Sequence, residues 1–162
     1  MRLHLEGEAT QEELGRRMAP LLTGCWIVHL IGDLGAGKTT LARGILRGLG
    51  HVGAVKSPTY TLIEPYEPGG RRVYHLDLYR LGDPEELEYL GLRDILGEDV
   101  LILVEWPERA GAALPPADLE LRISHAGEAR DLDIRGPGPR AAALIETLTA
   151  GFTDGFGGAA RT

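Results

Sequence analysis

Gly32-Asp33-Leu34-Gly35-Ala36-Gly37-Lys38-Thr39 decides how this chain is read. The stretch fits G-x-x-x-x-G-K-[ST] at every fixed position. Each residue type has a physical reason to stand where it does. Glycines let backbone N–H groups wrap a phosphate with no Cβ in the way. Lys38 brings a cation to the β- and γ-phosphates, and the Thr39 hydroxyl is placed to ligate Mg²⁺. Such a loop works between a strand and a helix N-terminus, whose free donors and dipole favour an anion. Both neighbours have that character. Residues 25–31 are an apolar run interrupted only by His29, which suits a buried parallel strand that includes Cys25. Residues from about 38 to 49 read as a helix. On the order of 0.003 matches are expected by chance from this composition, so coincidence is a poor explanation even in a Gly-rich chain.

Working outward, residues 2–6 read as a short strand. Thr10 looks like an N-cap, with Glu13 three residues later closing a capping box. The helix it opens runs to about Leu22, with Leu14, Met18, Leu21 and Leu22 as its apolar side. Residues 59–66 and 73–79 are two strands, and Pro68-Gly69-Gly70 between them supplies a hairpin turn. Asp83-Pro84-Glu85-Glu86 is a helix start, and Gly91 and Gly97 break the short helical stretches after it. Residues 100–104 form a second apolar strand that ends at Glu105-Trp106-Pro107. A second hairpin spans 118–124 and 130–135, and Pro139 opens a last helix to about Leu148. Strands separated by helices, with two hairpins, predict a single α/β P-loop domain over residues 1–150. Its sheet is mixed and mainly parallel, flanked by helices. The tail, 151–162, carries four glycines in twelve residues and reads as disordered.

The chain has 162 residues, enough for one domain with a sizeable core. Its net charge of −7 argues against autonomous nucleic-acid binding, which shows as a basic domain or stripe. The charge is uneven. Residues 1–60 hold seven basic and five acidic side chains, while 61–162 hold ten and nineteen. That leaves an acidic second half, either solvated or fitted to a basic protein partner. One cysteine, Cys25, permits no internal disulfide and fits a reducing compartment. No signal-peptide core opens the chain, and no apolar run approaches the ~18 residues of a membrane span. The expected location is cytoplasmic, with no membrane contact.

A P-loop NTPase needs a carboxylate at the end of a neighbouring strand. Glu105 closes an apolar strand, and Asp77 sits in the alternating strand His75-Leu76-Asp77-Leu78-Tyr79. Which of the two binds metal and which positions water stays open at this level. The base is read as adenine. The chain holds only two lysines, Lys38 and Lys56, and neither sits in the Asn/Thr-Lys-x-Asp element that guanine-specific GTPases use. Two other classes remain open: a small-molecule kinase, which needs an Arg-rich lid where residues 82–98 are acidic, and a non-catalytic nucleotide-gated scaffold.

Four blocks together carry a resemblance. The loop through Thr40 is followed by Ser57-Pro58-Thr59-Tyr60, then by His75-Leu76-Asp77-Leu78-Tyr79-Arg80, then by Val104-Glu105-Trp106-Pro107-Glu108. Their order and spacing resemble the TsaE (YjeE) family, small bacterial ATPases needed for the threonylcarbamoyladenosine (t6A) modification of tRNA. The resemblance covers about residues 7–125. It implies ATP and Mg²⁺ as cofactors and the TsaD and TsaB proteins as partners, which hold the transferase site and whose multiple turnover ATP hydrolysis supports. It implies nucleotide contacts from Asp33, Leu34, Gly35, Ala36, Gly37, Lys38, Thr39 and Thr40. Ser57 and Thr59 match a switch-like segment, Trp106 a position beside the nucleotide, and Thr10 a position near the base. Lys38, Asp77 and Glu105 carry the catalytic roles, with Thr39, Glu105 and Asp77 around the metal. Arg80 and Arg109 read first as partners of the surrounding acids and second as transition-state cations. With no evident arginine finger in cis, intrinsic turnover is expected to be slow.

Overall fold

A computed structural model describes residues 1–97 and 99–152, and the backbone of 160–161. The reading of 151–162 as disordered therefore falls mostly outside the described residues. The elements in chain order are β1 (Arg2–Leu5), α1 (Gly7–Met18), β2 (Trp26–Ile31), α2 (Lys38–Gly48), β3 (Ile63–Tyr66) and β4 (Arg72–Asp77). Next come α3 (Glu86–Tyr89), α4 (Leu92–Ile95), β5 (Val100–Glu105), β6 (Leu119–Ala126), β7 (Ala129–Arg135), α5 (Pro139–Phe152) and a two-residue β8 (Ala160–Arg161).

One sheet collects all the strands in the order β3-β4-β5-β2-β6-β7-β1-β8. Its centre, β4-β5-β2-β6, is parallel. The flanks are antiparallel: hairpin β3–β4 on one side, hairpin β6–β7 and then β1 on the other. The expected mixed α/β sheet with two hairpins is thus the fold. Apolar periodicity explains the layers. Trp26, Val28 and Leu30 of β2 join Leu101 and Leu103 of β5 in one core with α1, α2 and α5. Leu76, Ile102 and Val104 join Leu87 of α3 and Leu92 of α4 in a second core on the other face. All six residues of β5 are buried, which is why that strand reads as an unbroken apolar run.

Several boundaries differ from those expected. Thr10 is not an N-cap. Helix α1 already begins at Gly7, and the Thr10 hydroxyl donates to the Glu6 carbonyl at 2.6 Å. That bond to residue i−4 satisfies a threonine inside a helix as well as a capping bond does at its start. The helix stops at Met18 and tightens into a 3-10 turn, Ala19–Leu21, because Pro20 has no N–H to continue the ladder. Cys25 is half-buried and precedes β2 instead of lying within it. Strand β3 starts at Ile63 rather than at residue 59. Leu62 takes φ = 67° and donates its N–H to the Pro58 carbonyl at 2.8 Å, so residues 58–62 form a turn. At the other end, α5 runs on to Phe152, since Leu144, Leu148 and Phe152 keep burying at helical spacing.

Helices α1 and α2 lie unusually close because glycines line their contact. A Cβ on Gly15 would sit 2.6 Å from the Leu41 carbonyl oxygen, and one on Gly44 would overlap the Glu12 carbonyl. Arg43 of α2 then reaches Glu12 of α1 at 3.0 Å and also pairs with Glu8. Gly44→Ala is expected to lower stability by about 1–3 kcal/mol through overpacking, although alanine is the better helix former. Thermal unfolding checks this, at about 2–4 °C for each kcal/mol lost. An unchanged midpoint would mean that the helices separate without cost.

Candidate functional site

The loop between β2 and α2 is built from its glycines outward. Gly37 caps α2 with φ = 108°, a conformation a side chain rarely adopts. Ala36 donates its N–H to the Asp33 carbonyl at 3.0 Å, closing a tight turn with Leu34 exposed at the tip. From β7, Arg130 donates Nε–H to the Ala36 carbonyl at 3.1 Å, and its Nη2 reaches the Gly35 carbonyl at 3.4 Å. In a trans peptide, C=O and N–H point opposite ways. Holding the Ala36 carbonyl therefore turns the Gly37 N–H away from Arg130. Lys38 folds over the loop, donating Nζ–H to the Gly32 and Asp33 carbonyls at 2.7 and 2.8 Å. Its ammonium also lies 4.4 Å from the Trp106 ring centroid. Burial pushes the Lys38 pKa below the ordinary lysine value, and the charges of Glu105 and Asp77 pull against that shift.

The two acids arrive by strand register. Asp77 ends β4 opposite Glu105, and Glu105 ends β5 opposite Leu30 of β2, just before the loop leaves that strand. Both carboxylates are buried, at 4% and 3% exposure. Hydroxyls divide between them. Thr39 Oγ1 donates to Glu105 and lies 3.0 Å from each of its carboxylate oxygens. Ser57 donates to Asp77 and sits 3.4 Å from Glu105 Oε2, while Thr59 Oγ1 reaches Asp77 Oδ2 at 3.3 Å. The Tyr79 N–H supplies a further bond to Asp77 Oδ1 at 3.0 Å.

Trp106, directly after Glu105, adopts φ = 57°. For a bulky residue that backbone costs about 1–3 kcal/mol and persists only where the surroundings hold it. Here Tyr79 packs on the ring at 5.0 Å between centroids, and Lys38 covers it.

Thr39, Glu105, Asp77 and Ser57 together present only oxygen donors, the set a hard divalent cation takes. Among the described residues no group of three or more His, Cys, Asp or Glu forms a metal cage.

A cleft of about 600 Å³ gathers these parts. Leu34, Gly35, Gly37, Lys38, Thr39 and Thr40 line it from the loop side, with Ser57, Thr59, Asp77, Glu105 and Trp106 opposite. Asp33 and Ala36 belong to the loop but do not line the cleft; Asp33 is exposed and Ala36 is packed beneath. Thr10 does not line it either, its hydroxyl being committed within α1. Its neighbours Glu8 and Gln11 do. Gln11 is 5% exposed, with its Oε1 against Gly37 and without a hydrogen-bond partner. The sequence reading missed Glu8, Gln11, Glu128 and Arg130, all of which line the cleft.

The two arginines expected to pair with acids do otherwise. Arg80 stacks on Tyr60 at 4.4 Å and Arg109 lies 5.5 Å over Tyr79. The acidic segment after residue 82 is packed onto the sheet through its leucines. Leu87 and Leu92 anchor α3 and α4 in the second core.

A phosphate-type loop between a central strand and a helix, with acids closing the neighbouring strand β5 and the next one out, β4, defines a P-loop α/β domain. The chain belongs to the TsaE family: the profile described as "Threonylcarbamoyl adenosine biosynthesis protein TsaE" matches residues 5–132. It is 54% identical over 108 residues to the tRNA threonylcarbamoyladenosine biosynthesis protein TsaE of Haemophilus influenzae, covering 67% of this chain and 68% of that one. The protein of the same name from Streptomyces coelicolor is 43% identical over 147 residues, covering 86% and 99%. The crystal structure of Bacillus subtilis YdiB superposes with a TM-score of 0.76 at 30% identity, over 94% of this chain and 95% of that one.

Arg130→Met is expected to free the Gly35 and Ala36 carbonyls. Amide exchange at residues 35–38 should then speed about tenfold, the equivalent of about 1.4 kcal/mol for a charged donor, with little change in global unfolding. Unchanged exchange in the loop would show that Arg130 does not order it.

Proposed function

We propose that this chain is a Mg²⁺-dependent ATPase acting in t6A modification of tRNA, together with TsaD and TsaB, and supporting their multiple turnover. The observation that carries the reading is the Thr39–Glu105 pair directly under the loop, with both carboxylate oxygens 3.0 Å from the hydroxyl. Bound there by Thr39 and Glu105, Mg²⁺ would offset the charge of the β- and γ-phosphates. The protein groups then have separate tasks. The loop amides and Lys38 bind the phosphates, Lys38 exchanging the Gly32 and Asp33 carbonyls for phosphate oxygens. Asp77, carrying the hydroxyls of Ser57 and Thr59, orients the attacking water and holds the switch segment near the γ-phosphate. Trp106 covers the Lys38 side of the cleft.

The contacts of the two arginines that line the cleft support slow turnover by the isolated chain. Arg130 is engaged by loop carbonyls and Arg80 by Tyr60. The family membership and the names of the relatives support the tRNA-modification context. A net charge of −7 supports leaving tRNA contact to the partners, with no sequence-specific nucleic-acid binding by this chain. Among the described residues no helix is long and apolar enough to cross a membrane, and Cys25 is free, in keeping with a cytoplasmic role.

Mixing the chain with purified TsaD–TsaB should raise both its ATPase rate and the number of tRNA modification cycles. No stimulation of either would overturn the reading. Lys38→Ala should lose ATP binding. Glu105→Gln should keep nucleotide binding yet lose about 10²-fold or more in hydrolysis. Equilibrium binding and single-turnover hydrolysis separate the two effects. Full tRNA modification by a Glu105→Gln variant that binds ATP would favour a nucleotide-gated scaffold instead.

A further inference from the structure

His75 is fully buried in β4, two residues before Asp77 and so on the same face of the strand. Its Nε2 lies 2.6 Å from Glu105 Oε2. Its Nδ1 is buried and has no hydrogen-bond partner. Leaving a polar atom unpaired in a core costs about 1–3 kcal/mol, which an apolar side chain of the same volume would avoid. Packing alone therefore does not account for an imidazole here. A carboxylate accepts, so Nε2–H donates to it, and Nδ1 is left unmatched.

The other partners of Glu105, both hydroxyls, come from segments outside the sheet. Thr39 belongs to the loop-helix junction and Ser57 to the turn before β3, the two places where bound phosphate would draw hydroxyls away. His75 alone among these three is fixed within the parallel sheet, where it stands opposite Leu103 of β5.

We propose that His75 is a positioning residue. Its Nε2–H anchors the Glu105 carboxylate in the orientation that faces Thr39, and thereby sets the cation affinity of the site without touching cation or nucleotide. The inference rests on the Mg²⁺–nucleotide reading above. Carboxylate ligands held by such outer hydrogen bonds typically lose ten- to a hundredfold in metal affinity when the bond is removed.

The test uses the full chain with ADP and Mn²⁺, following free Mn²⁺ by electron paramagnetic resonance. His75→Phe keeps a planar ring, somewhat larger than imidazole, and removes the donor. It should weaken Mn²⁺ binding to the protein–ADP complex ten- to a hundredfold. ADP affinity in EDTA should stay within about twofold. His75→Gln, whose Nε2 reaches the same place, should restore most of the metal affinity, while the shorter His75→Asn should not. Should the Phe variant fail to fold, the Gln–Asn comparison carries the test. Equal Mn²⁺ affinity across folded variants, or a parallel loss of metal-free ADP binding, would overturn the inference and leave the nucleotide reading standing. A wild-type complex that binds Mn²⁺ no better than ADP alone would overturn both.

Discussion

Parallel pairing in a single register is the constraint on which the molecule depends. Asp77 stands opposite Glu105, and Glu105 opposite Leu30, so three neighbouring strands end at one level beside the glycine loop. A slip of one residue in either ladder would turn a carboxylate to the other face of the sheet. Hydrophobic burial prevents that slip. Along β5, Leu101 and Leu103 face one core while Ile102 and Val104 face the other, and neither set can trade places without exchanging partners on both faces.

Bringing two carboxylates into that interior is expensive unless each finds donors. The chain supplies them from four directions. Thr39 comes from the helix start, Ser57 and Thr59 from the turn before β3, His75 from the neighbouring strand and the Tyr79 amide from the strand end. The Lys38 ammonium sits close enough for both acids to act on its pKa. The left-handed backbones of Leu62 and Trp106 fall at the turns that deliver these groups. Local strain and buried charge are concentrated in the same small region, as expected where geometry is set for chemistry rather than for stability.

How much of this is legible in the sequence depends on the range of the forces involved. The loop, its strand and its helix are readable because glycine, lysine and hydroxyl positions are local requirements. Glu105 is readable because it closes a recognisable apolar strand; Asp77 is readable as the acid of an alternating strand, but that the strand ends at it, two residues short of the expected 79, emerges only in the fold. Thr10 misleads because one hydroxyl can serve a helix start or a helix interior equally well, and only the chain path decides. Arg130 is invisible, since its bond to Ala36 spans 94 residues and no local pattern marks it. His75 is plain within its strand, but its value depends on the β4–β5 register, which periodicity does not reveal. The glycine excess has an evident purpose in the loop; Gly15 and Gly44 serve helix contact instead, a purpose that emerges only when α1 and α2 are seen together.

That glycine seam has a mechanical consequence. With backbone against backbone and Arg43 bridging to Glu8 and Glu12, α1 and α2 have little freedom to slide and behave as a single rigid body. Helix α2 carries Lys38 and Thr39, and α1 carries Glu8 and Gln11 to the same side of the cleft, where Gln11 Oε1 lies against Gly37. Any displacement that phosphate imposed on the start of α2 would therefore carry Glu8 and Gln11 with it.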